Sequence, residues 1–107
     1  MKFKIQMEKK PVAVLELKHL GGGDWEIEWL FTDKNHRGKK LATRLIEKAK
    51  AYVAEKGNLL VGYLEPRDGL TYDQMVAWHK RLGFVCGWYN FHGFRCKSKR
   101  VMMWRPQ

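Results

Sequence analysis

Apolar and polar residues alternate from Lys2 to Met7 and again from Val12 to Leu17. A period of two predicts two strands. Met7 to Pro11 is their hairpin connection, with Pro11 tolerated at a strand edge. Gly21-Gly22-Gly23-Asp24 marks a turn, and Trp25 to Thr32 a third strand. The period then changes. Leu41, Leu45, Ala49 and Tyr52 or Val53 fall on one side of a helix running from about Lys40 to Lys56, with Ala42 and Ile46 beside them. Gly57-Asn58 is a helix stop. Leu59 to Leu64 is a nearly continuous apolar run, as a buried central strand requires. Pro66 to Leu70 is loop. Thr71 or Tyr72 opens a short helix that ends near Arg81 and is terminated by Gly83. Phe84 to Tyr89 and Val101 to Trp104 are the last strands, joined by a turn rich in Gly and Lys.

The element order is strand, strand, strand, helix, strand, helix, strand, strand. It implies an α/β (α+β) layer with helices packed on a mixed, largely antiparallel sheet. The unit from Trp25 to Leu64 should form a right-handed parallel strand–helix–strand crossover at its centre. A chain of 107 residues is expected to form one domain, residues 1–107. No repeats, linkers or low-complexity tracts interrupt it.

Charge narrows the partners. The formal net charge is +10, which favours an anionic ligand or surface. Basic residues gather at Lys34–Lys50 and at Arg95–Arg100, where Lys48 and Lys50 are expected on the solvated face of the helix. No apolar run approaches about 18 residues, so no membrane span is expected. Met1-Lys2-Phe3-Lys4 lacks the apolar core of a signal peptide, and the cytoplasm is the expected location. Cys86 and Cys96 are too few for a disulfide framework or a metal site and read as thiols. No metal is called for.

The segment with most chemical content is Asn35-His36-Arg37-Gly38-Lys39-Lys40-Leu41-Ala42-Thr43-Arg44-Leu45-Ile46. It joins a strand to a helix through a basic turn. The first N–H groups of a helix have no intrahelical partner, and the helix dipole favours an anion there. Arg37, Lys39 and Lys40 add full charges at that point. A small phosphorylated ligand is the expected occupant, ahead of a merely solvated basic turn.

This segment resembles the acetyl-coenzyme A binding motif of the GNAT N-acetyltransferase superfamily, Gln/Arg-x-x-Gly-x-Gly/Ala before a helix. Arg37 takes the first place, Lys40 stands where the family has its first Gly, and Ala42 takes the last. Ala77-Trp78-His79-Lys80-Arg81-Leu82-Gly83-Phe84 resembles the family's late Phe-Tyr-x-x-x-Gly-Phe helix end, and Met102-Met103-Trp104-Arg105-Pro106 its closing strand. The resemblance covers about Trp25 to Pro106 and implies an acyl-CoA N-acyltransferase-like fold. It also implies acetyl transfer from acetyl-CoA, as cosubstrate, to a primary amine by direct attack. Such domains normally begin with a further strand and one or two helices over the acceptor side, and the resemblance implies that these are not expected within residues 1–107.

The resemblance carries roles to particular residues. Leu30 and Phe31 would meet the pantetheine arm through their backbone, since the family's strand bulges and splays there. Arg37, Gly38, Lys39, Lys40, Leu41, Ala42 and Thr43 would hold the pyrophosphate. Glu26 and Glu28, on one strand face, are candidate bases, with ordinary exposed carboxylates as the alternative. His79 stands where many members have the tyrosine that protonates the leaving thiolate, and an imidazole could act as that acid. Tyr72 is the second candidate acid. Three readings follow: an N-acetyltransferase; a basic nucleic-acid-binding protein that stacks bases on aromatics such as Trp88; and a coenzyme A-binding protein with little catalysis. Five tryptophans and a sheet edge left uncovered suggest a homodimer through the first strands or the Trp88–Trp104 strands.

Overall fold

The computed structural model describes the backbone of residues 1–7, 10–36, 40–64, 70–91 and 94–106, and the side chains of these except residues 5–7, 10, 86–91 and 94–100. Six strands form one sheet: β1 (Lys2–Met7), β2 (Lys10–Gly21), β3 (Asp24–Thr32), β4 (Leu59–Tyr63), β5 (Val85–Phe91) and β6 (Phe94–Trp104). Helix α1 (Leu41–Lys56) lies between β3 and β4, and α2 (Tyr72–Arg81) between β4 and β5. The sheet order is β1-β2-β3-β4-β6-β5. Only β3 and β4 run parallel among the described pairings, as the crossover reading requires.

β2 and β6 outrun their sequence limits the furthest. β2 continues to Gly21 because β3 supplies ladder partners as far as Asp24. β6 begins at Phe94, paired with Phe91, so the Lys-rich stretch expected in a turn is strand. Lysine and arginine can alternate in a paired strand as readily as in a loop, and composition alone does not separate the two. Cys86, Cys96 and Trp88 lie outside the residues whose side chains are described.

Helix α1 buries Leu41, Leu45, Ile46, Ala49 and Val53 against Ala13, Leu15 and Leu17 of β2 and Leu60 of β4. Each large apolar side chain so buried contributes about 1.5–3 kcal/mol. The stop after it is built as the sequence suggests: Asn58 donates its backbone N–H to the Gly23 carbonyl at 2.6 Å and its Nδ2 to the Gly22 carbonyl at 2.7 Å.

Helix α2 is defined at both ends. Thr71 is its N-cap: the hydroxyl accepts from Gln74 N–H, and the Gln74 side chain accepts from Thr71 N–H, a reciprocal capping box. At the other end Gly83 N–H donates to the Lys80 carbonyl and Phe84 N–H to the His79 carbonyl, both at 3.0 Å. That pair of bonds is a Schellman motif, and Gly83 sits at φ 92, which glycine adopts without a Cβ penalty. Lys50, expected on a solvated face, instead reaches across from α1. Its Nζ donates to the Leu82 carbonyl at 2.8 Å and lies 5.2 Å from the centroid of the Trp104 ring. A long stem lets the ammonium leave its own helix and neutralise the end of the next.

Candidate active site

The site begins with an irregularity in β3. Leu17 of β2 pairs with Ile27, but Glu16 pairs with Trp29, so Glu28 is an extra residue without a partner on β2. This is a β-bulge, and it bends the strand. On the other side, β3 pairs with β4 only from Asp24 to Ile27, opposite Leu59 to Gly62. Past that point the two parallel strands part. The β4-facing backbone of Glu28 to Thr32 has no ladder partner on β4, and the gap opens into a cleft of roughly 620 Å³.

Ile27, Glu28, Leu30 and Thr32 of β3 line one wall of the cleft. Gly62, Tyr63 and Leu64 from the end of β4 line another, with Gln74, Met75, Trp78, His79 and Arg81 of α2. His36, Lys40, Leu41, Ala42 and Thr43, at the start of α1, also line the cleft. That helix start has no side-chain cap and no acidic residue in its first turn. Its first N–H groups and the positive end of its dipole therefore stand at the cleft with no capping anion among the described residues. Lys40 precedes it in a left-handed conformation, φ 58, the position where the sequence motif would have glycine. Such a backbone costs a non-glycine residue about 1–2 kcal/mol. Arg37, Gly38 and Lys39 lie outside the described residues. Just before them, His36 Nδ1 stands 3.3 Å from Asp33 Oδ2, in the short 3-10 turn Lys34–His36.

The candidate catalytic residues separate. His79 is buried, 6% exposed, and lines the cleft. Its Nδ1 is 2.9 Å from the Met75 carbonyl oxygen. The rings of Trp78 and Phe84 meet the imidazole edge-on at 4.9 and 5.4 Å. Burial pushes its pKa below the ordinary 6.5, partly offset by the Met75 carbonyl, so the neutral ring is favoured. Glu28, exposed on the bulge, lines the cleft as well. Glu26 is absent from the lining; it lies between Lys18 of β2 and Val61 of β4 in the ladder. Burial raises its pKa above 4.5; Lys18 opposes that rise and Glu28 adds to it. Tyr72 packs against the main core and does not line the cleft. Leu30 points to that core too, whereas Phe31 is exposed. Tyr63, Gly62 and His36 line the cleft without having been singled out by sequence. A glycine inside a buried apolar strand was the one signal for Gly62.

Comparison with known proteins places this geometry. The sequence model of the acetyltransferase (GNAT) family matches residues 3–84, and the chain belongs to that family. No curated protein matches the chain in sequence. Among solved structures, it is similar to Tetrahymena GCN5 with a TM-score of 0.74 and 15% identity, over 99% of this chain and 68% of that one. It is similar to an aminoglycoside 6'-N-acetyltransferase complexed with coenzyme A, with a TM-score of 0.71 and 14% identity, over 97% of this chain and 71% of that one. It is also similar to a GNAT family acetyltransferase from Elizabethkingia anophelis with acetyl-CoA bound, with a TM-score of 0.75 and 9% identity, over 97% of this chain and 74% of that one. At these identities the likeness is one of fold. Family and fold together support acyl-CoA-dependent acetyl transfer.

Proposed function

We propose that the chain moves the acetyl group of acetyl-CoA to a primary amine by direct attack, within the cleft between β3 and β4. The observation that carries this reading is the continuity of the cleft: unpaired strand backbone at one end leads to an uncapped helix start at the other. In this reading the backbone of Glu28 to Thr32, including Leu30 and Phe31, pairs with the pantetheine arm. The N–H groups of Leu41, Ala42 and Thr43, with Lys40 and the preceding Arg37, Gly38 and Lys39, take the pyrophosphate. Exposed phenylalanine suits this role, because Phe31 contributes peptide groups rather than its ring. The acetyl group then lies toward Gly62 and His79. Holding thioester and amine together supplies most of the rate enhancement, and proton transfer a further ~10²–10⁴-fold.

Glu28 at the mouth of the cleft is the better placed of the two carboxylates to receive the amine, and Glu26 would act only through water. Tyr72 becomes a candidate acid only if the start of α2 moves. A cytoplasmic homodimer completes the reading, with exposed Trp29 and Phe31 on the sheet as the surface that a second copy would cover. Sedimentation equilibrium tests that part, and a strict monomer refutes it.

Cofactor binding is tested with Ala42→Glu. A carboxylate in the first turn of α1 favours the helix dipole and should leave the free protein as stable or more so. It should abolish stabilisation by coenzyme A, which for the unaltered protein at ~100 times Kd amounts to about 2.7 kcal/mol. Undiminished stabilisation of the Glu variant would contradict the assignment of phosphate to this helix start.

A further inference from the structure

Gly62 stands in β4, the buried central strand, between Val61 and Tyr63. A glycine there weakens the strand, having no side chain to pack and more backbone freedom to lose. The ordinary reasons for glycine fail at this position. Its φ is outside the left-handed region, unlike that of Gly21, Gly22, Gly23 and Gly83. A Cβ built on it meets nothing nearer than 4.0 Å, so an alanine would fit. The two atoms at that distance are His79 Nε2 and the Met102 carbonyl oxygen. A longer side chain would therefore cover the approach to His79 Nε2. Gly62 also marks the fork: it is the last β4 residue paired with β3 before the strands part, and it lines the cleft with His79.

Nε2 is the one nitrogen His79 can offer. A carbonyl only accepts, so Nδ1, 2.9 Å from the Met75 oxygen, carries the hydrogen and Nε2 of the neutral ring presents a lone pair. A neutral imidazole of this tautomer has no proton to give a thiolate until it has taken one. We propose that Gly62 is an aperture exposing His79 Nε2 to the reacting thioester, and that this single nitrogen carries a proton from the attacking amine to the departing sulfur. The proposal rests on the acetyl-transfer reading above.

The neutral amine's lone pair forms the new N–C bond, and the carbonyl π pair moves to oxygen. His79 Nε2 takes one N–H proton from the resulting ammonium, becoming imidazolium. The oxygen pair returns, the C–S bond breaks with its electrons on sulfur, and Nε2–H protonates that sulfur. An amide and a free thiol leave, and the imidazole is neutral again. The Met75 carbonyl supports the transient imidazolium through Nδ1–H, while the Trp78 and Phe84 rings hold the ring plane. Among the described residues, the ionisable groups sharing the cleft are Glu28 from β3, Tyr63 from β4, His36 and Lys40 before α1, and Arg81 from α2. Burial lowering the His79 pKa is consistent with a resting ring that is free to accept.

The test uses Gly62→Ala, Gly62→Val and His79→Gln with three readouts: coenzyme A binding by calorimetry, single-turnover transfer to one fixed amine, and diethyl pyrocarbonate labelling located by mass spectrometry. Valine should cut transfer about 10²-fold and leave coenzyme A affinity within about threefold. His79→Gln should cost the same, and the double variant no more than His79→Gln alone. Labelling of His79 needs no catalysis, so it separates the aperture from the acetyl-transfer reading. Labelling should be blocked by valine and slowed by alanine, a variant the available space admits should valine prevent folding. Unchanged labelling in the alanine variant, or a valine variant that transfers at the normal rate, overturns the aperture. A fully active His79→Gln overturns the relay.

Discussion

Lys50→Met isolates a contact that ties α1 to the end of α2. The stem survives the substitution, and the ammonium is lost. Three interactions go with it: a 2.8 Å hydrogen bond to the Leu82 carbonyl, a 3.3 Å contact with Glu47, and the position over the Trp104 ring. A hydrogen bond to a charged group is worth about 1.5–3 kcal/mol, and its overlap with the helix-dipole effect means the two are not added. The cation–π contact adds about 0.5–1 kcal/mol, and the exposed Glu47 pair about 0.2–0.5 kcal/mol. Water can reach the part-buried Leu82 carbonyl once Nζ is gone, which pulls the loss toward the lower end. Side-chain entropy hardly changes, because lysine and methionine lose similar amounts. A net loss of about 1–2 kcal/mol results, or roughly 4–16 °C in Tm for a domain of this size. Urea unfolding at neutral pH, beside Lys48→Met on the exposed face, gives the comparison. Lys48→Met should fall within about 0.5 kcal/mol of the unaltered protein. A Lys50→Met curve that superimposes on the Lys48→Met curve would show that solvent serves the carbonyl as well as lysine does.

Two further outcomes concern pH. His79 has a folded pKa below 6.5, so its stabilising contribution is complete above that value and is lost as pH falls through the folded pKa. His79→Gln should therefore flatten the decline of Tm on acidification below about 6.5. Glu26 has the opposite sign: its folded pKa lies above 4.5, so its contribution is present below that value and lost as pH rises through the folded pKa. Glu26→Gln should raise Tm at neutral pH and leave it unchanged at pH below about 4. A larger gain in acid would contradict burial as the cause.

Regular patterning made most of the fold legible. The helix faces, the capping residues Thr71 and Gly83, and the buried run of β4 all obey local rules that act within a few residues. The parallel pairing of β3 and β4 followed from a helix standing between two strands. The bulge at Glu28 did not follow, because a period-two reading continues through it. One inserted residue changes which side chains share a face, so period-two spacing from Glu26 holds only as far as Ile27. Lys50 departs from its helix-wheel position for a different reason: exposure on a wheel ignores what a long side chain can reach on a neighbouring element. Tyr72 fell outside the cleft because spacing along α2 gives a position on the helix and not the direction of the fork. His79 was legible by its place in the chain, but its tautomer depends on one carbonyl that only the folded helix supplies.

The most direct test is a mass balance on acetyl transfer. The protein is incubated with acetyl-CoA labelled in the acetyl group and a panel of primary amines, and free thiol and labelled amide are both counted. Equal amounts of the two products are expected for at least one amine, with Ala42→Glu losing both. No thiol release and no retention of coenzyme A, together with firm retention of single-stranded DNA by the same protein, would contradict the acetyl-transfer reading.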